Sequence, residues 1–258
     1  MKVTFLGTGT SLGVPVVGCT CATCTSSDPR NRRTRTSVAL ALGDRRALID
    51  TSPDLRQQAL ACGLNRIDAV LYTHAHADHV LGLDDLRIYS LRQKEPIPLY
   101  GSGATLASLR RTFWYAFDDA PSVATRPQVR LVEVDGGFDL WGRRFDMIPV
   151  WHERARIHGF RLGAFAYVTD ASSIPDESRP LLRGLDVLVL NALRRRPHPA
   201  HFTLEEALAE AVRLGARRTF LTHLSDDLEH ASTEAALPPA VRLAYDGLTL
   251  EVDDSPPR

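Results

Sequence analysis

Four potential metal ligands fall within six positions at Thr73-His74-Ala75-His76-Ala77-Asp78-His79, directly after the apolar run Asp68-Ala69-Val70-Leu71-Tyr72. That run reads as a buried strand. Packing does not call for such a group, because buried histidines and carboxylates must be solvated or paired. Alternation along a chain leaving a strand aims His74 and His76 to one side, and the turn that follows presents Asp78 and His79 to a neighbouring point. The pattern suits two cations better than one. Three further residues stand where strands should finish: His152 after 147–150, Asp170 after 165–169 and His223 after 219–222. Ligands in α/β proteins gather at strand ends. Asp50 closes another such run, Leu48-Ile49-Asp50-Thr51, and strands ending in Thr-His recur at 73–74 and 222–223.

A second cluster is made of sulfur. Of the four cysteines, Cys19, Cys21 and Cys24 are packed into Gly18-Cys19-Thr20-Cys21-Ala22-Thr23-Cys24. This spacing does not resemble a secreted disulfide framework, and in a reducing compartment it points to metal. Cys62 reads as a small buried side chain. A third segment, 191–202, follows a strand, precedes a helix and carries His198 and His201. The arginine runs 194–196 and 30–35 could attract an anion but read first as solvated loops.

The elements that must position these residues are short strands punctuated by turns. Strands are expected at 3–6, 37–42, 46–49, 68–72, 129–134, 138–150, 160–169, 185–190, 218–221, 241–244 and 248–252, with Gly43-Asp44 as a hairpin turn. A helix should open at Ser52-Pro53-Asp54, with Ser as N-cap and Pro at its first position. Leu55, Ala59 and Leu60 would form its apolar face and Gly63 its stop. Helical spacing places another helix over 80–91, and Thr203 with Glu206 forms a capping box for a helix over 203–214. Both halves run strands first, then helix-strand units, which predicts two sheets with helices outside. A single domain is expected over 1–252, with a frayed tail at 253–258.

Composition excludes several classes. Hydrophobic residues are 44% and charged residues 24% of the 258, which rules out a disordered or fibrous chain. Thirty-one basic residues balance thirty-one acidic ones, so no global field favours a long polyanion, and a nucleic-acid partner is not expected. No apolar run approaches a bilayer span, and the opening Met1–Gly7 stretch lacks the apolar core of a signal peptide. The expected location is the cytoplasm, without membrane contact. The oligomeric state is left open, a homodimer included.

The His-x-His-x-Asp-His loop, the later His152 and Asp170 and the final His223 together resemble the metallo-β-lactamase superfamily over nearly the whole chain. The resemblance implies an α/β fold, the four-layer αββα sandwich, and two adjacent divalent cations (Zn or Mn). His74, His76 and His152 would hold the first, Asp78, His79 and His223 the second, and Asp170 would bridge them. Asp78 is also carried over as a catalytic residue, and Asp50 as the carboxylate that orients the loop histidines. The opening Gly7-Thr8-Gly9-Thr10-Ser11-Leu12-Gly13-Val14-Pro15 and the cysteine cluster are similar to the phosphoribosyl 1,2-cyclic phosphate phosphodiesterases of phosphonate degradation. In that family three cysteines and a histidine hold a structural zinc. Cys19, Cys21 and Cys24 match the thiolates, whereas Asp226 occupies the position of the fourth ligand. Asp226 or His230 would complete the site. His201 matches the histidine that assists the leaving group, with His198 the weaker candidate.

The implied activity is metal-dependent hydrolysis of a small cyclic phosphodiester, with a small phosphorylated substrate as the partner. Related chemistries compete. A tRNA 3′-end endonuclease would add a projecting arm and a basic surface, which this sequence lacks, while thioester and lactam hydrolysis are compatible with the same donors. A non-catalytic accessory protein of cofactor biosynthesis, similar to the pyrroloquinoline-quinone B proteins, is the reading from another class. The presence of all seven expected donors favours an enzyme.

Overall fold

A computed structural model describes residues 1–118 and 125–252; the expected tail, 253–258, lies outside the described residues. The chain opens with β1 (Lys2–Gly7), β2 (Ser37–Leu42) and β3 (Arg45–Ile49), then α1 (Leu55–Cys62), β4 (Ala69–Leu71), α2 (Ala77–Val80), α3 (Leu86–Gln93), β5 (Ile97–Gly101), α4 (Gly103–Thr112) and β6 (Val129–Glu133). It continues with β7 (Gly137–Leu140), β8 (Arg143–His152), β9 (Ala155–Leu162), β10 (Phe165–Val168), β11 (Val187–Asn191), α5 (Leu204–Leu214), β12 (Arg218–Thr222), α6 (His230–Ala235), β13 (Val241–Leu243) and β14 (Thr249–Glu251). One sheet has the order β14-β1-β2-β3-β4-β5-β6 and the other β13-β12-β11-β10-β9-β8-β7.

Strand alternation explains the layering. Val187 and Val189 join Phe5, Leu40, Ile49, Phe145, Phe160 and Tyr167 between the sheets, while Leu188 and Leu190 face outward against Leu204, Ala207 and Ala211 of α5. A separate cluster packs α1, α3 and α4 on the outer face of the first sheet through Leu55, Leu86 and Leu106. The result is the αββα sandwich. Among the described residues, no helix is long and apolar enough to cross a membrane.

Parallel pairing places the chemistry. β3 runs parallel to β4, and β10, β11 and β12 run parallel to one another. Their C-terminal ends therefore share one edge of each sheet, and the loops leaving them converge. The capping box forms as expected: Thr203 Oγ1 accepts from the Glu206 N–H at 3.1 Å, and the Glu206 carboxylate accepts from the Thr203 N–H at 2.8 Å.

Several boundaries differ from the sequence expectation. Residues 138–150 form two strands, because Trp141 and Gly142 take positive φ in a hairpin, and 160–169 likewise divides at Gly163. The 80–91 helix is two α segments joined by a 3-10 turn, Leu81–Asp85. A tight contact accompanies that turn: Gly82 N donates to Thr51 O at 3.0 Å, and a Cβ at Gly82 would collide with the Ser52 carbonyl. α1 begins two residues past Pro53, because Asp54 is drawn to the Arg35 backbone and guanidinium rather than to the helix end. Leu60, expected on the apolar face, is 68% exposed, and Cys62 is only half-buried. The solvated-loop reading of 30–35 fails at Arg33, which is 1% exposed. Its guanidinium donates to the carbonyls of Ser225 and Leu228, tying that segment to the loop after β12.

Candidate metal centre

Thr73 and His74 follow β4, and α2 begins at Ala77, so the ligand loop is a single sharp exit from a buried strand. Asp50, Asp170 and His223 each leave their strand with φ near +60°, a left-handed conformation that only a few per cent of non-glycine residues adopt. Three turns of this kind at one edge swing the side chains over the sheet ends rather than along them. The ligand atoms of His74, His76 and His152 lie within 4.8 Å of one another, as do those of Asp78, His79, Asp170 and His223. Asp170 joins the two groups: its Oδ2 lies 4.0 Å from His74 Nε2 and 3.4 Å from His223 Nε2, and its Oδ1 lies 3.3 Å from His79 Nε2. Asp78 Oδ2 stands 3.4 Å from His79 Nε2 and 3.5 Å from His223 Nε2.

Hydrogen bonds fix which ring nitrogen is free. Asp50 is fully buried and its carboxylate accepts from Thr73 N–H at 2.8 Å, Thr73 Oγ1 at 2.8 Å and His79 Nδ1 at 2.7 Å. Because the Thr73 hydroxyl spends its one proton on Asp50, its contact of 2.9 Å with His74 Nδ1 requires the imidazole to donate. His152 Nδ1 donates to Ala200 O at 2.8 Å. In all three rings Nδ1 is the nitrogen already committed, which leaves Nε2 as the one a metal would take. His74 Nε2, His79 Nε2 and His223 Nε2 are buried with no hydrogen-bond partner, which would be costly unless something else binds them. The spacings of 3.3–3.5 Å match ligand edges around a tetrahedral cation, which at bond lengths of about 2.0–2.1 Å come to roughly 3.3 Å. The donor set therefore fits divalent cations.

Electrostatics agrees. Burial disfavours charge on His79, but Asp170 and Asp50 on either side hold its proton affinity well above the ordinary range. Burial likewise opposes ionisation of Asp170, yet His223 and His79 keep its carboxyl well below the usual range. His74 is driven down by burial and by His79. The carboxylates thus favour positive charge at the centre, while burial disfavours it on His74.

His201 joins this centre. Its ring stacks on His223 at 4.9 Å, lies 4.8 Å from His152, and places an unpartnered Nδ1 3.9 Å from Asp170 Oδ2. Burial, followed by His223, pushes it down to about 3. His198 lies beyond it, ring to ring at 5.0 Å, with Nδ1 accepting from Ala200 N. Arg195 and Arg196 are exposed, while Arg194 donates to the carbonyls of Arg196 and Pro197.

The cysteine cluster is separate. Asp226 Oδ2 lies 3.6, 3.5 and 3.9 Å from the sulfurs of Cys19, Cys21 and Cys24, again close to tetrahedral edge lengths. Burial pushes the Cys24 thiol up to about 12, whereas the Cys24 N–H and the Cys19 thiol draw Cys21 below its ordinary value. His230, the alternative fourth donor, is not in this group: it is buried at the start of α6, edge-on to Tyr245 at 5.9 Å. Sequence reading missed the partners behind the donors, namely Thr73, Thr169 (whose hydroxyl donates to Asp170 Oδ1 at 2.6 Å) and the Ala200 carbonyl. The recurring Thr-His and Thr-Asp pairs were the available signal.

Comparison with known proteins accords with this geometry. Residues 45–224 match the β-lactamase superfamily domain. A crystal structure described as a new diphosphatase from the PhnP family is 46% identical, with 98% of each chain covered and a TM-score of 0.92. An octanoyltransferase of Porphyromonas gingivalis is 39% identical over 98% of this chain but 52% of its own length, so the chain spans about half of that protein. Coenzyme PQQ synthesis protein B of Methylorubrum populi is 30% identical over 74% of this chain and 72% of its own. The chain belongs to the β-lactamase superfamily and carries a metallo-hydrolase site.

Proposed function

We propose that the chain, working as one domain over 1–252 in the cytoplasm, hydrolyses a small cyclic phosphodiester such as phosphoribosyl 1,2-cyclic phosphate. His74, His76 and His152 would hold one divalent cation (Zn or Mn), Asp78, His79 and His223 a second, with Asp170 between them. Bound there, the pair supplies a water of lowered pKa and neutralises phosphate oxygens. Cys19, Cys21, Cys24 and Asp226 would hold a structural zinc, and reduced thiols suit a cytoplasmic protein.

The observation that carries this reading is His201. Seven donors already account for two cations, and His201 is left over, inside the cluster, with an unpartnered Nδ1 near Asp170. Even as a neutral ring it keeps one N–H to offer the leaving oxygen, and an anionic phosphate beside it raises its proton affinity. Asp50 and Thr73 hold the loop histidines in their donor tautomers, and the Ala200 carbonyl does the same for His152. The description of the 46% identical structure as a diphosphatase favours a second reading, cleavage of a phosphoanhydride at the same site.

The test is a hydrolysis panel with each metal: a generic phosphodiester, ribose cyclic phosphates, a nucleoside diphosphate ester, a thioester and a lactam. Replacing His201 by Ala is expected to slow phosphoester turnover about 10²- to 10⁴-fold without releasing metal. An unchanged rate removes His201 from the reaction, and preference for the thioester or lactam removes the phosphoester reading.

A further inference from the structure

Asn191, the last residue of β11, is fully buried. Its Oδ1 accepts from Ala171 N–H at 2.7 Å, and its Nδ2 donates to Ala171 O at 3.0 Å. The reason lies one residue upstream. β10 and β11 pair in register as far as Val168 and Leu190, and the chain then swings away as Asp170 adopts φ +59°. The turn carries Ala171 off the ladder, where its peptide groups would be buried without partners. The side-chain amide of Asn191 offers one donor and one acceptor, as a neighbouring strand would, and so closes the ladder around the turn.

The same carbonyl reaches further. Ala171 O also accepts from Phe202 N at 2.8 Å, and Phe202 O accepts from Leu193 N at 2.9 Å. On the other side of His201, Ala200 O takes the Nδ1 proton of His152 at 2.8 Å. His201 is thus suspended between two hydrogen bonds, one to His152 and one to the residue that follows Asp170. Thr169 Oγ1 steadies Asp170 from the strand side, leaving the turn after Asp170 to Asn191.

We infer that Asn191 is a positioning residue: by clamping Ala171 it sets Asp170 against His201, and with them the gap in which the reacting phosphorus sits. This rests on the roles proposed above for Asp170 and His201. Partners that orient a metal ligand typically change affinity or activity about 10- to 100-fold when removed.

The experiment compares the cobalt(II)-loaded wild-type protein with Asn191→Ala, Asn191→Asp, Ser178→Ala and Asp170→Asn, using bis(p-nitrophenyl) phosphate as substrate. Ser178 is fully buried and donates to Pro149 O at 2.6 Å, so its loss matches the cost of a buried hydrogen bond away from the centre. Asn191→Ala is expected to lower kcat about 10- to 100-fold with KM little changed, and to shift the cobalt visible absorption, while Ser178→Ala alters only Tm. Asn191→Asp keeps the volume and the acceptor but sets an oxygen against Ala171 O, so it should show the same kcat loss and spectral shift even if the alanine variant fails to fold. A folded Asn191 variant with wild-type kcat and spectrum overturns the inference, as does an equal kcat loss in Ser178→Ala. Should Asp170→Asn retain both spectrum and turnover, the functional reading itself fails, an outcome distinct from failure of Asn191 alone.

Discussion

Replacing Asp50 by Asn probes the support beneath the centre at its most concentrated point. The carboxylate receives three donors, one on Oδ1 and two on Oδ2, with no exposure to solvent. An asparagine has one acceptor oxygen. The least costly orientation puts that oxygen where Oδ2 was, serving Thr73 Oγ1 and His79 Nδ1, and turns its NH₂ against the Thr73 N–H. One buried N–H then loses its acceptor, at about 1–3 kcal/mol, and two charge-assisted bonds become neutral ones, at about 1 kcal/mol each. The sum is about 3–5 kcal/mol of unfolding free energy. Loss of the charge also weakens the bond that keeps the proton on His79 Nδ1, so metal affinity should fall about 10- to 100-fold. Urea unfolding of the chelator-treated protein gives the first quantity, and competitive zinc titration against a chromogenic chelator gives the second. A variant within about 0.5 kcal/mol of wild type, the usual range for an inert surface change, and with unchanged zinc affinity refutes the reasoning.

Other expectations follow from the same geometry. Replacing Cys24 by Ser should remove one tightly held metal per chain in elemental analysis; equal metal content in the variant would exclude the thiolate cluster as a site. Replacing Thr203 by Ala removes the hydroxyl that accepts from Glu206 N and should cost about 1 kcal/mol in urea unfolding without altering metal content. A change under a few tenths would show that the capping box contributes little to α5.

Much of the centre was legible because its donors sit where apolar strands stop, and a polar cluster at a strand exit has few packing explanations. His74, Asp170 and His223 were readable in this way. Their partners were not: the Asn191 side chain holds the backbone of Ala171, 20 positions away, and the Ala200 carbonyl accepts from the ring of His152, 48 positions away, and nothing local marks such pairings. Two sheets with helices outside followed from the order of strands and helix-strand units in both halves, and the αββα sandwich from the family resemblance, yet β5 and α4 were missed: β5 is short and holds Pro98 at its second residue. Strand boundaries failed at Trp141 and Gly163 because each turn is only two residues long. Leu60 and Arg33 reversed their expected burial: helix rotation turned Leu60 outward, and backbone carbonyls from a distant loop enclosed Arg33.

The central claim is that dispersed histidines and aspartates gather two cations. Anomalous diffraction at the zinc edge from crystals grown with zinc tests it most directly. Two neighbouring peaks are expected, one among His74, His76 and His152 and one among Asp78, His79 and His223, with Asp170 between them. A histidine cluster without anomalous density at saturating zinc would contradict it.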